Sequence, residues 1–241
     1  MTGDAELTSY DSIDIDSYLK HIERPDSWNN LYERPYLISK LPTLKDKDVL
    51  DIGCASGYYT DYALKNGAKV TAVDISEKML GFLTSRIESA NLTLHRADIS
   101  KPMLFLADES YDIAICSLVI HYLRDWQTLL RELFRVLKND GRVLITTHHP
   151  LAMYLYLKPD SYYNFKLIED TWGKPENKFK VRYYIRPLTD VLRPLLKSEF
   201  KIERIEEMQP EKILSGTHPK IYERLTKQPG FLYIELVKEI R

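Results

Sequence analysis

From residue 47 to residue 150 short apolar runs alternate with amphipathic stretches, and the alternation predicts strand following helix. Residues 49–52, 69–74, 92–95, 111–118 and 142–147 read as strands. The fourth is apolar almost throughout, as a strand covered on both faces must be. Residues 58–64 read as a helix that stops at Asn66-Gly67, where a left-handed cap forms easily. Ser76 is placed to cap a helix that buries Met79, Leu80, Leu83 and Ile87 at helical spacing. Asp125 is placed to cap another, carrying Trp126, Leu129, Leu130, Leu133, Phe134 and Leu137, which the Asn139-Asp140-Gly141 turn should end.

The flanks follow other patterns. The first ten residues, within a polar and acidic stretch running to about residue 17, read as a loosely held arm. Tyr18, Ile22, Trp28, Leu31, Tyr32, Tyr36, Leu37 and Leu41 suggest one or two short helices interrupted at Pro25 and again near Pro35. Residues 148–187 are rich in tyrosine, broken by proline and glycine, and show no clean amphipathic helix, which predicts an insertion lying over a site. Beyond them come a helix over 188–197, a strand over 201–208, a short helix over 219–226 and a last strand over 231–237. The expected organisation is one domain: an N-terminal helical cap (1–44), a ligand-binding core (45–150), an insertion after the fifth strand (151–187) and the C-terminal part of the sheet (188–241). Strand–helix alternation predicts an α/β fold, a doubly wound, mostly parallel seven-stranded sheet, with its ligand beyond the carboxyl ends of the strands.

Composition narrows the function classes. The chain has 241 residues, 44% hydrophobic, with a formal net charge of −1, enough for a large core and with no overall basic field to call for nucleic acid. The two cysteines, Cys54 and Cys116, lack the partner spacing of a zinc site or disulfide framework, so no metal is expected and both should be reduced. No apolar run approaches the roughly 20 residues of a membrane span, and no signal-peptide pattern opens the chain. The expected location is cytoplasmic.

Candidate chemistry gathers at the predicted strand ends. In Val49-Leu50-Asp51-Ile52-Gly53-Cys54-Ala55-Ser56-Gly57 a buried strand breaks into a small-residue turn that lets backbone N–H groups approach a ligand. Asp74 follows roughly 20 positions later, the interval at which a carboxylate accepts hydrogen bonds from a ribose diol. A dinucleotide fingerprint would need G-x-G-x-x-G; this turn is G-x-A-x-G followed by Tyr58, which fits a nucleoside without pyrophosphate better.

These residues resemble the class I S-adenosylmethionine-dependent methyltransferases. The likeness rests on the 49–57 turn, Val73-Asp74-Ile75-Ser76 with Met79-Leu80, Ala97-Asp98-Ile99, Tyr111-Asp112 before an apolar strand, and Leu133-Phe134-Arg135-Val136-Leu137 before Asn139-Asp140-Gly141. The Trp28 to Pro35 segment, His148-His149-Pro150, Arg186-Pro187-Leu188 and Pro229-Gly230-Phe231-Leu232 further resemble a bacterial branch of small-molecule type. The resemblance implies a Rossmann-like fold, S-adenosylmethionine as cofactor and direct displacement by an O or N atom of a small acceptor. It also implies that Gly53, Ala55 and Gly57 pack against the methionine and ribose, with Asp51 at the amino end. Asp74 would take the ribose hydroxyls, Ile75 the adenine face, Asp98 and the Ile99 N–H the adenine edge, and the Ser117 backbone would lie near the methionine. Ala55 departs from the glycine common in the family, a small intrusion that binding should survive.

His121, His148 and His149 follow the fourth and fifth strands and reach toward an acceptor; for a hydroxyl acceptor His121 is the first candidate base. Tyr18, Tyr32 and Tyr36 of the cap are expected in the lid or substrate pocket. The tyrosine-rich insertion reads equally as an aromatic pocket or as packing, and Cys54 as a small core residue. Rival readings are a nicotinamide-dependent oxidoreductase, disfavoured by the glycine spacing, a non-catalytic nucleoside-binding or scaffold protein, and an RNA or tRNA methyltransferase, for which no basic-aromatic stripe is present. Oligomeric state and acceptor identity are not encoded in any recognisable pattern.

Overall fold

The computed structural model describes residues 15–239, so the arm expected over the first ten residues lies outside the described residues. Strands β1 (Asp48–Ile52), β2 (Lys69–Asp74), β3 (Leu92–Arg96), β4 (Tyr111–Ser117), β5 (Leu137–His148), β8 (Lys201–Glu207) and β9 (Phe231–Val237) form one sheet in the order β3-β2-β1-β4-β5-β9-β8. The first five are parallel; β9 runs antiparallel between β5 and β8. Strand order reverses between β1 and β4, so the crevice of this doubly wound sheet opens at their carboxyl ends.

Helices α3 (Tyr58–Lys65), α4 (Glu77–Arg86), α5 (Gln127–Val136), α7 (Leu188–Leu196), α8 (Leu214–Thr217) and α9 (Pro219–Lys227) complete the frame. Successive residues of β1 point to opposite faces and both are buried: Leu50 and Ile52 pack with Trp126, Leu129 and Leu133, while Val49 packs with Tyr59, Ala63 and Leu83. The Ser76 hydroxyl accepts from the Met79 N–H at 3.3 Å and caps α4 as its sequence predicts. At α5 Asp125 accepts from the Gln127 N–H at 3.1 Å.

Three expectations need correction. Pro35 does not interrupt the cap: a wide, π-type turn of helix over Asn29–Glu33 runs straight into α2 (Arg34–Lys40), which holds Pro35 in its first turn. Asn139-Asp140-Gly141 is not the turn that ends α5. The helix stops at Val136, Leu137 already pairs with Tyr111, and the triplet is absorbed as an irregularity in β5, with Asp140 at φ 61°. The insertion is also more ordered than its composition suggests: α6 (Pro150–Leu157) is followed by an antiparallel hairpin of β6 (Lys166–Trp172) and β7 (Phe179–Ile185). Phe179, Val181, Tyr183 and Ile185 form the hairpin's buried face and pack against Tyr18, Leu19 and Ile22 of α1 (Ile15–Ile22). Cap and insertion thus make a joint cover over the carboxyl ends of the sheet.

Candidate functional site

The 53–57 turn is pinned from beneath. The Gly53 and Cys54 N–H groups donate to the Val73 carbonyl at 2.8 and 3.1 Å, and the Asp74 carboxylate accepts from Ala55 N–H and Ser76 N–H, both at 2.9 Å. Gly53 at φ 71° and Gly57 at φ 83° need the left-handed region, and Ala55 enters it at 45°. Above the turn lies a cavity lined by Asp51, Gly53, Ala55, Asp74, Ile75, Asp98, Ile99 and Ser117. Gly57 does not line it. It faces away, and a Cβ there would meet Leu83 Cγ at 2.7 Å, so its glycine serves the packing of α3 on α4.

The electrostatics of this chamber are acidic. Asp51 is buried, accepts from the Thr60 hydroxyl at 2.6 Å, and is pushed up to about 7 chiefly by loss of water, with the Asp74 charge adding to the effect. Asp98 accepts from the Ser100 N–H at 2.9 Å beside Ile99. A fourth carboxyl went unsuspected in the sequence: Glu33, fully buried, accepts from Tyr59 at 2.7 Å, Ser117 at 2.8 Å and Thr146 at 2.7 Å, and burial raises its pKa. The available signal was an acid inside an aromatic helical run. Arg34 lies beside it, its guanidinium 3.9 Å from the centre of the Tyr58 ring. The Cys54 thiol is held far above its ordinary pKa by burial, which keeps it uncharged and unreactive.

A second chamber adjoins the first, and Tyr18, Asn29, Leu118 and Tyr122 line both. Leu118 holds φ 47° there, fixed by its N–H to the Thr146 carbonyl at 3.0 Å. The walls are aromatic and basic: Trp28, Trp172, Tyr183 and Phe231 surround His21, His121 and His148. His121 and His148 stack at 3.9 Å between ring centres. Burial lowers the pKa of both, that of His148 to about 4 and that of His121 well below the ordinary imidazole value, so both rings are neutral. Nε2 of His121 and Nδ1 of His148 have no hydrogen-bond partner among the described residues.

Of the residues expected in a substrate pocket, Tyr18, His121 and His148 come together here; Tyr32, Tyr36 and His149 do not. Tyr32 is buried beneath, stacked on Phe231 with its hydroxyl donating to the Met208 carbonyl. Tyr36, one helical turn on, points the same way and donates to Glu206 at 2.5 Å. His149 caps α6, accepting from Leu151 N–H at 3.2 Å while its other nitrogen lies 3.1 Å from Glu207.

Comparison with known proteins decides the family. The methyltransferase domain family matches residues 50–145, and the solved S-adenosylmethionine dependent methyltransferase of Mesorhizobium loti superposes with a TM-score of 0.69 at 26% identity, covering 85% of this chain and 97% of that one. Residues 50–145 belong to the methyltransferase domain family, of the class I S-adenosylmethionine-dependent type. Among relatives, the malonyl-[acyl-carrier protein] O-methyltransferase of Bacillus cereus is 37% identical over 101 residues, 41% of this chain and 36% of that protein. The ubiquinone biosynthesis O-methyltransferase of Coxiella burnetii is 27% identical over 146 residues, 60% of each. The chain therefore matches less than two thirds of the length of either relative.

The cofactor of this methyltransferase is S-adenosylmethionine, and the first chamber fits it chemically. Four carboxyl groups and one guanidinium suit a molecule that is cationic at its sulfonium and amino groups, and the narrow glycine turn admits it close to backbone. No helix among the described residues is long and apolar enough to cross a membrane, and among them no group of three or more His, Cys, Asp or Glu could hold a metal.

Proposed function

We propose that this methyltransferase methylates an oxygen, or alternatively a nitrogen, of a small ring-bearing acceptor seated in the second chamber. The observation that carries this reading is the pair of neutral, stacked imidazoles with free nitrogens, buried among aromatic rings beside the cofactor chamber. The O-methyltransferase names of both relatives support oxygen.

When bound, the cofactor would supply an electrophilic methyl group to the acceptor's lone pair, the S–CH3 bond breaking as the acceptor–CH3 bond forms and S-adenosylhomocysteine leaving as the neutral thioether. The protein's share is positioning and exclusion of water. Asp74 takes the ribose hydroxyls while bracing the turn, Asp51 and Glu33 face the amino end, and Ile75, Asp98 and Ile99 bound the adenine. The core over 45–150 thus holds the cofactor, and α1 with the β6–β7 hairpin covers the acceptor. His121 Nε2 receives the proton of an acceptor hydroxyl; a neutral imidazole is the form that can do so. The test is transfer of labelled methyl from S-adenosylmethionine to a panel of phenols and ring amines. His121→Ala should lower kcat on phenols by about 10²–10⁴-fold and leave S-adenosylhomocysteine affinity unchanged. Full phenol turnover by that variant refutes the base role, and transfer only to RNA or protein refutes the small acceptor.

A further inference from the structure

The two chambers carry opposite charge. Glu33, Asp51, Asp74 and Asp98 line the first against Arg34 alone, whereas the second is lined by Arg24 and Arg224 and by no carboxylate among the described residues. Asp170 is not among the lining residues; it accepts from three side chains of the wall, Trp172 Nε1 at 2.8 Å, the Tyr183 hydroxyl at 3.0 Å and the Tyr156 hydroxyl at 3.4 Å. Asp26 lies 3.2 Å from Arg24 Nε but is half-exposed and outside the lining. Arg224 has no acidic partner within ion-pair distance among the described residues; its guanidinium rests 4.7 Å from the centre of the Trp28 ring, itself edge-on to Phe231 at 6.0 Å. Arg224 is exposed, and an exposed guanidinium without an acidic partner, held over an aromatic ring at the chamber's edge, is a receptor for a planar anion.

We propose that the acceptor is an aromatic carboxylate whose ring lies among Trp28, Trp172, Tyr183 and Phe231 and whose carboxylate pairs with Arg224, assisted by Arg24. This rests on the reading of the second chamber as an acceptor site. It also divides the labour by charge: the acidic chamber takes the cationic cofactor and the basic chamber the anionic acceptor, so neither ligand competes well for the other's place.

The test uses the full chain saturated with S-adenosylhomocysteine and titrates hydroxybenzoates, hydroxycinnamates and indole carboxylates, each beside its neutral amide. Carboxylates should bind about 10–100-fold tighter than their amides, the range expected for a charge-assisted pair. Arg224→Gln should remove most of that preference, Arg224→Lys should keep part of it, and S-adenosylhomocysteine affinity should not move in either. Amides binding as tightly as carboxylates, or a preference that survives Arg224→Gln combined with Arg24→Gln, overturns the inference and leaves the small-acceptor reading intact. If no member of any pair binds while S-adenosylhomocysteine does, the acceptor reading falls and the inference with it.

Discussion

Gly57 separates two roles that a glycine-rich turn usually confounds. Substituting alanine forces a side chain into φ 83°, which costs about 1–2 kcal/mol for an L-residue. Its Cβ would also stand 2.7 Å from Leu83 Cγ and 2.8 Å from Leu83 Cδ1, with Leu83 fully buried and unable to swing clear. Overpacking of that kind costs about 1–3 kcal/mol. The combined loss of about 2–5 kcal/mol corresponds to a fall in Tm of roughly 4–20 °C for a chain of this size. Because Gly57 faces α4 and not the cofactor chamber, S-adenosylhomocysteine affinity measured well below the transition should stay within about two-fold of wild type. Gly53→Ala is the contrast: its Cβ would meet Val119 Cγ2 at 2.4 Å, and Val119 lines the cofactor chamber, so affinity should fall along with stability. Thermal melts and calorimetric titration of both variants, with a Gly57→Ala, Leu83→Ala cycle expected to show coupling of about 1–3 kcal/mol, test the assignment. A Gly57→Ala protein that melts like wild type but binds S-adenosylhomocysteine poorly would refute it.

Two further perturbations follow from the site. Asp51, whose pKa rises to about 7 by burial, keeps its proton in the folded state where the unfolded chain has already lost it, so its contribution to stability is complete below about pH 4 and declines as pH rises toward 7. Relative to Asp51→Asn, wild type should therefore lose stability across that window in melts taken at successive pH values, while its S-adenosylhomocysteine affinity rises as the carboxylate ionises; a wild type that gains on the variant with rising pH contradicts this. Asp170→Ala leaves the Trp172 and Tyr183 donors without their acceptor, at about 1–3 kcal/mol, and should raise the acceptor KM with cofactor affinity unchanged. Equal KM values would show that the hairpin does not shape the acceptor site.

What the sequence makes legible is local and covalent in reach. β2 and β9 have their predicted limits because a buried strand bounded by polar residues needs no tertiary information, and the Ser76 cap is set by residues three apart. Asn139-Asp140-Gly141 misleads because a sequence that favours a turn also suits a bulge; which one forms depends on Leu137 pairing with Tyr111, a contact between distant residues. The hairpin was readable in the alternation Phe179, Val181, Tyr183, Ile185, but the surrounding Pro, Gly and Tyr masked it. At the site, Asp51, Asp74 and Asp98 gather because each ends or follows a parallel strand. Which cap residues face inward is instead fixed by helix phase: Glu33 points to the chamber and Tyr32 and Tyr36 away from it, a distinction set by packing on Phe231 and Glu206. Glycine content marks the turn without separating Gly53 at the cavity from Gly57 on the helix packing.

The most direct test of the cofactor site is calorimetric titration of the wild-type chain and of Asp74→Ala with S-adenosylhomocysteine. The arrangement of Asp74, Ala55 and Asp51 predicts one site per chain, and a loss of about 10–100-fold in affinity when the carboxylate that accepts from Ala55 N–H is removed. Absence of binding at millimolar ligand, or an Asp74→Ala protein that binds like wild type, would contradict it.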